Sequence, residues 1–170
     1  GLAGTGLDSE IEVSPLEIDF GYRNLADGSS APRTITIRNL GSRDLNFTGG
    51  GIVLQGSAAS SYSFVSPPDA SPLAAGASRQ LEVVFTPARD GLLRARIVIT
   101  TDDRDEPETV VELYGRGLES EIEVAPQLLD FGSRDLAAGA SAPQGFLIIN
   151  HGSIDLNFTG AGIALQGAAT

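Results

Sequence analysis

The stretch RQLEVVFTPARDGLLRARIVITTDD, residues 79–103, alternates apolar and polar side chains on both sides of a turn. Leu81, Val83 and Phe85 share one face of the first half, and Leu93, Ala95, Ile97 and Ile99 share one face of the second. A period of two belongs to a strand covered on one side, because successive side chains in a strand point to opposite faces. The intervening ARDG supplies turn chemistry, so the stretch reads as two strands of one domain.

Outward from there the pattern recurs. In RTITIRN, residues 33–39, Ile35 and Ile37 share a face, and further short runs stand at EIEV, LEIDF, DLNF, YSFV and TVVELYG. The turns ADGSSAP, GGG, SPPDASP, AAGAS and DDRDEP separate them. Seven or eight short strands in about 110 residues, the first one split, predict an antiparallel immunoglobulin-like β-sandwich, with a barrel as the alternative. The chain has no Trp and no Cys, so the antibody core is excluded; Phe20, Phe47, Phe64 and Phe85 are expected to fill the interior.

The phrase DLNFTGGGIVLQGSAA, residues 44–59, returns as DLNFTGAGIALQGAAT at residues 155–170. At this offset of 111 residues about 36 of 59 overlapping positions are identical, which marks a tandem repeat. Leu2, Gly4 and Gly6 align with Leu113, Gly115 and Gly117, so residues 1–6 read as the tail of a preceding repeat. Residues 7–117 then form a complete repeat and 118–170 the first half of a second. The fold class is all-β: tandem immunoglobulin-like sandwiches, one complete and one partial. The short GRG at 115–117 predicts a stiff connection and a semi-rigid array of roughly 30 Å per unit, from ~3.3 Å per strand residue. Half a sandwich exposes strand edges and one core face. Residues 118–170 are therefore expected to be completed by the rest of a longer chain or by strands from another molecule, or else to be disordered.

EVSPLEIDFG near the start, VVFTPARDGLLRARIVITTDD and PETVVELYGRG resemble the ASH domains of Hydin and abnormal-spindle proteins, relatives of major sperm protein. They resemble still more the tandem bacterial version in choice-of-anchor D surface proteins. The resemblance implies a non-catalytic, array-forming module at a bacterial cell surface or outside the cell, such as a fibre subunit. The alternatives are a cytoplasmic or ciliary scaffold for protein partners and a carbohydrate-binding adhesin.

Composition narrows the chemistry. A net charge of -11 repels phosphate backbones and anionic lipid surfaces, so nucleic acid is not an expected partner. No apolar run approaches the roughly 18 residues that span a bilayer, so no membrane insertion is expected. GLAGTGLDSEIEV has neither the basic start nor the apolar centre of a signal peptide. Between Leu7 and Gly117 there is no His, Cys or Lys, so the usual general base and the thiolate and amine nucleophiles are absent from the complete repeat. No enzyme, cofactor or metal is expected. His151 reads as a turn residue near a strand end, and the carboxylates of TDDRDEPE, residues 101–108, read as a solvated turn rather than a calcium site. Asn46 and Asn157 satisfy the N-glycosylation pattern and read as unmodified outward residues. Tyr22, Tyr62 and Tyr114 are the residues that could stack on a sugar.

The copies differ in one instructive way. Glu17 becomes Leu128, Thr36 becomes Leu147, Arg38 becomes Ile149 and Arg43 becomes Ile154, whereas inward positions such as Phe20 and Ile37 stay apolar at Phe131 and Ile148. GFLIIN thus loses its alternation, as a strand covered on both faces does. Leu128, Leu147, Ile149 and Ile154 are the candidate partner-binding residues, for protein partners or neighbouring subunits of a homo-polymer; a contact within the same chain is the plainer explanation.

Overall fold

A computed structural model describes residues 8–166, and its chain divides after Leu118 into two units. The reading of residues 1–6 lies outside the described residues. The first unit carries β1 (Ile11–Ser14), β2 (Glu17–Asn24), β3 (Arg33–Asn39), β4 (Phe47–Gln55), β5 (Tyr62–Phe64), β6 (Ser78–Phe85), β7 (Gly91–Thr101) and β8 (Glu108–Leu118). One sheet runs β1-β3-β6-β5 and the other β2-β8-β7-β4. The first strand is split between them at Pro15 and Leu16, where proline has no N–H to give to a ladder. The wholly antiparallel expectation needs correcting: β2 runs parallel to β8, because the chain keeps its direction when it crosses from one sheet to the other.

The core lies between the sheets. Ile35, Ile37, Val83 and Phe85 from one layer and Leu93, Ile97, Val111 and Leu113 from the other are fully buried or nearly so. Phe85 is the one phenylalanine fully inside; Phe20, Phe47 and Phe64 pack against the core half-buried. Tyr62 is a core residue rather than a sugar platform. Its ring sits 5.0 Å from that of Phe85, and its hydroxyl donates to the Leu93 carbonyl at 2.9 Å. Burial, with the Asp19 charge behind it, pushes the Tyr62 phenol well above its ordinary pKa.

Three turn or strand assignments change. GGG is not a turn: Gly49–Gly51 lie inside β4, where register with β7 breaks after Phe47↔Thr101 and resumes at Ile52↔Ile99. Gly49 and Gly51, at φ +54 and +68, permit that bulge. DLNF contributes only its Phe to a strand, and Leu45 makes a lone bridge to Leu73. GRG is not a connector, since it belongs to β8. A Cβ on Gly115 would come within 2.6 Å of the Phe85 ring, and one on Gly117 within 2.1 Å of the Arg89 carbonyl oxygen, so these glycines are packing requirements.

The second unit holds β9 (Ile122–Ala125) and β10 (Leu147–Asn150), antiparallel. They repeat the register of β1 and β3: Val124 faces Ile148 as Val13 faces Ile37. Local devices repeat as well. Asn39 donates to the Arg43 carbonyl and accepts from Gly41 N–H; Asn150 does the same with Ile154 and Gly152. Arg23 reaches the Gly28 carbonyl, and Arg134 the Gly139 carbonyl. The repeat counterparts of β2 and β4 form no strand among the described residues. In the first unit those strands are hydrogen-bonded only to β8 and β7, and the second unit presents no such neighbour among the described residues.

Candidate functional site

The four sequence-selected residues fall in the second unit. Leu147 and Ile149 alternate on one face of β10, opposite Ala125 and Glu123 of β9. Leu147 is 60% exposed and Ile149 is half-buried. Ile148, between them, turns to the other face with Val124, the side equivalent to the first unit's core. Leu128, 79% exposed, lies in the segment after β9, and Ile154 follows β10 half-buried, its N–H donating to the Glu119 carbonyl. The structure therefore pairs Leu147 with Ile149 and places Leu128 and Ile154 apart from that strand face. Both faces of β10 carry large apolar side chains, Leu147 and Ile149 on one and Ile148 on the other, and elsewhere in the unit Phe131, Phe146 and Phe158 are also about half exposed.

Electrostatics on the β9–β10 face have been rewired. In the first unit Arg38 on β3 pairs with Glu12 on β1 at 3.3 Å. Ile149 replaces that arginine, and Glu123, the counterpart of Glu12, takes the Nε2 of His151 instead. His151 is indeed at a strand end, but it has a defined partner. Losing Arg38's equivalent clears a charge from the centre of the face and moves the pairing to its edge.

The acidic turn between β7 and β8 departs from its solvated reading. Asp103 is only 2% exposed. Its carboxylate accepts the Ile11 N–H at 2.7 Å and the N–H groups of Asp105 and Glu106, tying the β7–β8 turn to β1. Asp102 accepts from Asn46 N–H and Nδ2, both at 2.8 Å, and pairs with Arg43 at 2.9 Å. Burial works against both charges, yet these hydrogen bonds hold both carboxyls below the ordinary carboxylate range. Glu10, Asp103 and Asp105 each bring an oxygen within 4.8 Å of the others, and Asp105 first, then Asp103, push the exposed Glu10 carboxyl upward. Because both oxygens of Asp103 already serve backbone N–H groups, the cluster acts as a clasp on the fold. Asn46 is exposed, but its side-chain amide belongs to this clasp. No local sequence signal marks the bonds between Asp103 and Ile11 and between Asp102 and Asn46, which join residues 92 and 56 positions apart.

Residues 9–116 match the family model described as HYDIN/CFA65/VesB-like, Ig-like domain. Among solved structures, a protein of unknown function from Porphyromonas gingivalis W83 is 22% identical at a TM-score of 0.51, over 67% of this chain and 50% of its own. The chain thus spans half the length of that protein. The ASH/PapD-like domain of human CEP192 is 15% identical at a TM-score of 0.50, over 70% of this chain and 92% of that one. At such identities these two likenesses concern the fold. No curated protein matches the chain. Among the described residues no helix is long and apolar enough to cross a membrane.

Proposed function

Because the chain belongs to the HYDIN/CFA65/VesB-like Ig-like domain family, a kind of domain that is typically non-catalytic and mediates protein contacts, we propose that it is a structural repeat of an extracellular or bacterial cell-surface array. In this reading it acts as a semi-rigid spacer and an assembly surface, and its partners are neighbouring subunits. The observation that carries the reading is β10: at Leu147 and Ile149 it replaces the Thr36 and Arg38 of the first copy, leaving apolar side chains on both faces of one strand. Apolar surface gathered in this way favours burial, and a neighbouring subunit can supply the cover. The 111-residue repeat and the resemblance to tandem surface proteins support the array and its location.

The test is to restore the first copy's residues. Leu147→Thr with Ile149→Arg lowers the assembled mass seen by light scattering, while urea unfolding of the first unit is unchanged. A wild-type chain that never assembles, or a variant that assembles as before, contradicts the proposal.

A further inference from the structure

We infer that the outer face of the β2–β8–β7 sheet is a second, self-complementary docking surface, on which another copy of this chain sits about a two-fold axis. It lies in the first unit and does not depend on the β10 face. Register across the three strands places side chains in rows: Glu17 and Arg96 flank Glu112, Asp19 and Arg94 flank Tyr114, and Tyr22 and Leu92 flank Arg116. The alternate residues Ile18, Leu93, Ala95 and Leu113 are buried, so these rows face solvent. Along β2 the alternation would turn Tyr22 inward. The bulge between Asp19 and Tyr22, with Gly21 at φ +68, turns it outward to 74% exposure, beside the half-exposed Leu92. Glu17 and the Asp19 and Tyr22 rows line a shallow groove of about 410 Å³, with the Arg94 guanidinium 5.2 Å from the Tyr114 ring centre.

Charge on this face is sorted by strand. Glu17 and Asp19 stand on β2, and Arg94 and Arg96 on β7, two strands and therefore roughly 10 Å away. Among the described residues none of the four belongs to an ion pair within the chain. A two-fold axis parallel to the strands and over β8 lays β2 of each copy on β7 of the other. It brings Glu17 to Arg96, Asp19 to Arg94 and Tyr22 to Leu92 of the second copy, and sets the two Tyr114 rings against each other. Each β2–β7 contact occurs twice, as an isologous interface requires. Glu112 and Arg116 meet their own counterparts near the axis, which keeps the association reversible. The second repeat has Leu128 and Ser133 in place of Glu17 and Tyr22, so the surface is peculiar to the first unit.

The full chain carrying Leu147→Thr and Ile149→Arg isolates this contact for sedimentation equilibrium. A reversible dimer is expected, weakened by salt because its charge pairs are partly screened. Adding Glu17→Arg with Asp19→Arg, or Arg94→Glu with Arg96→Glu, raises the dissociation constant at least tenfold. An equimolar mixture of the two charge variants restores the dimer, since every reversed pair again meets its opposite. A monomeric parent, charge variants that dimerise as the parent does, or a mixture that stays monomeric overturns the inference. Association through the second unit would not respond to the swap, so failure here is distinct from failure of the β10 proposal.

Discussion

Phe85→Ala will lower the unfolding free energy of the first unit by about 3–5 kcal/mol, the usual cost of emptying a large core site. The ring is fully buried and meets Tyr62 and Phe20 at centroid distances of 5.0 and 5.8 Å. Its third side is the backbone at Gly115, where any side chain would collide with it. A β8 strand hydrogen-bonded to both β2 and β7 cannot move inward to fill the space, so the cavity persists. The Phe85 backbone bonds to Ser30 survive the substitution and keep the loss one of packing. Urea denaturation should show a midpoint lowered by about 2 M with an unchanged slope. A loss below about 1 kcal/mol would mean that the two sheets do not close over this ring.

Asp103→Ala will cost about 3 kcal/mol, although it removes an acidic residue from a strongly acidic chain. The carboxylate satisfies the buried Ile11 N–H and two turn N–H groups, and alanine strands the first of these in the interior. The pH dependence follows from the direction of the shifts. Asp102 and Asp103 have carboxyls held below their unfolded values, so their stabilisation is complete above the ordinary carboxylate pKa of about 4 and disappears as pH falls through the folded values. The acid limb of stability should therefore begin near pH 4 and flatten in Asp103→Ala. Glu10 works in the opposite sense: its raised carboxyl is least favourable when charged, so protonation relieves it. Wild-type stability of the Asp103→Ala chain at pH 7 would show that the Asp103 carboxylate does not clasp β1 to the β7–β8 turn.

How much of this was legible depends on the range of the interaction. RTITIRN coincides with β3 and LLRARIVITT nearly with β7, because alternation records which side each residue buries. The split first strand was legible too, but not the parallel pairing of β2 with β8, since strand direction leaves no mark on alternation. GGG reads as a turn until β7 is beside it. The Asp103 clasp and the Tyr62 hydroxyl bond link residues far apart in the chain, and a carboxylate aimed at a backbone N–H is spelled like one in water. The second-unit residues fared unevenly: comparing the copies found Leu147 and Ile149 on one strand face, but it could not show that the counterpart of β2 would carry Leu128 outside any strand.

Hydrogen exchange on the dilute full chain distinguishes a self-sufficient β1–β8 sandwich from a second unit that depends on a cover. Amides of Ile97 and Val98 in β7 are expected to exchange only on global unfolding, whereas those of Ile148 and Ile149 in β10 exchange roughly a thousandfold faster. Equal protection in β7 and β10 in the unassembled chain would contradict that dependence.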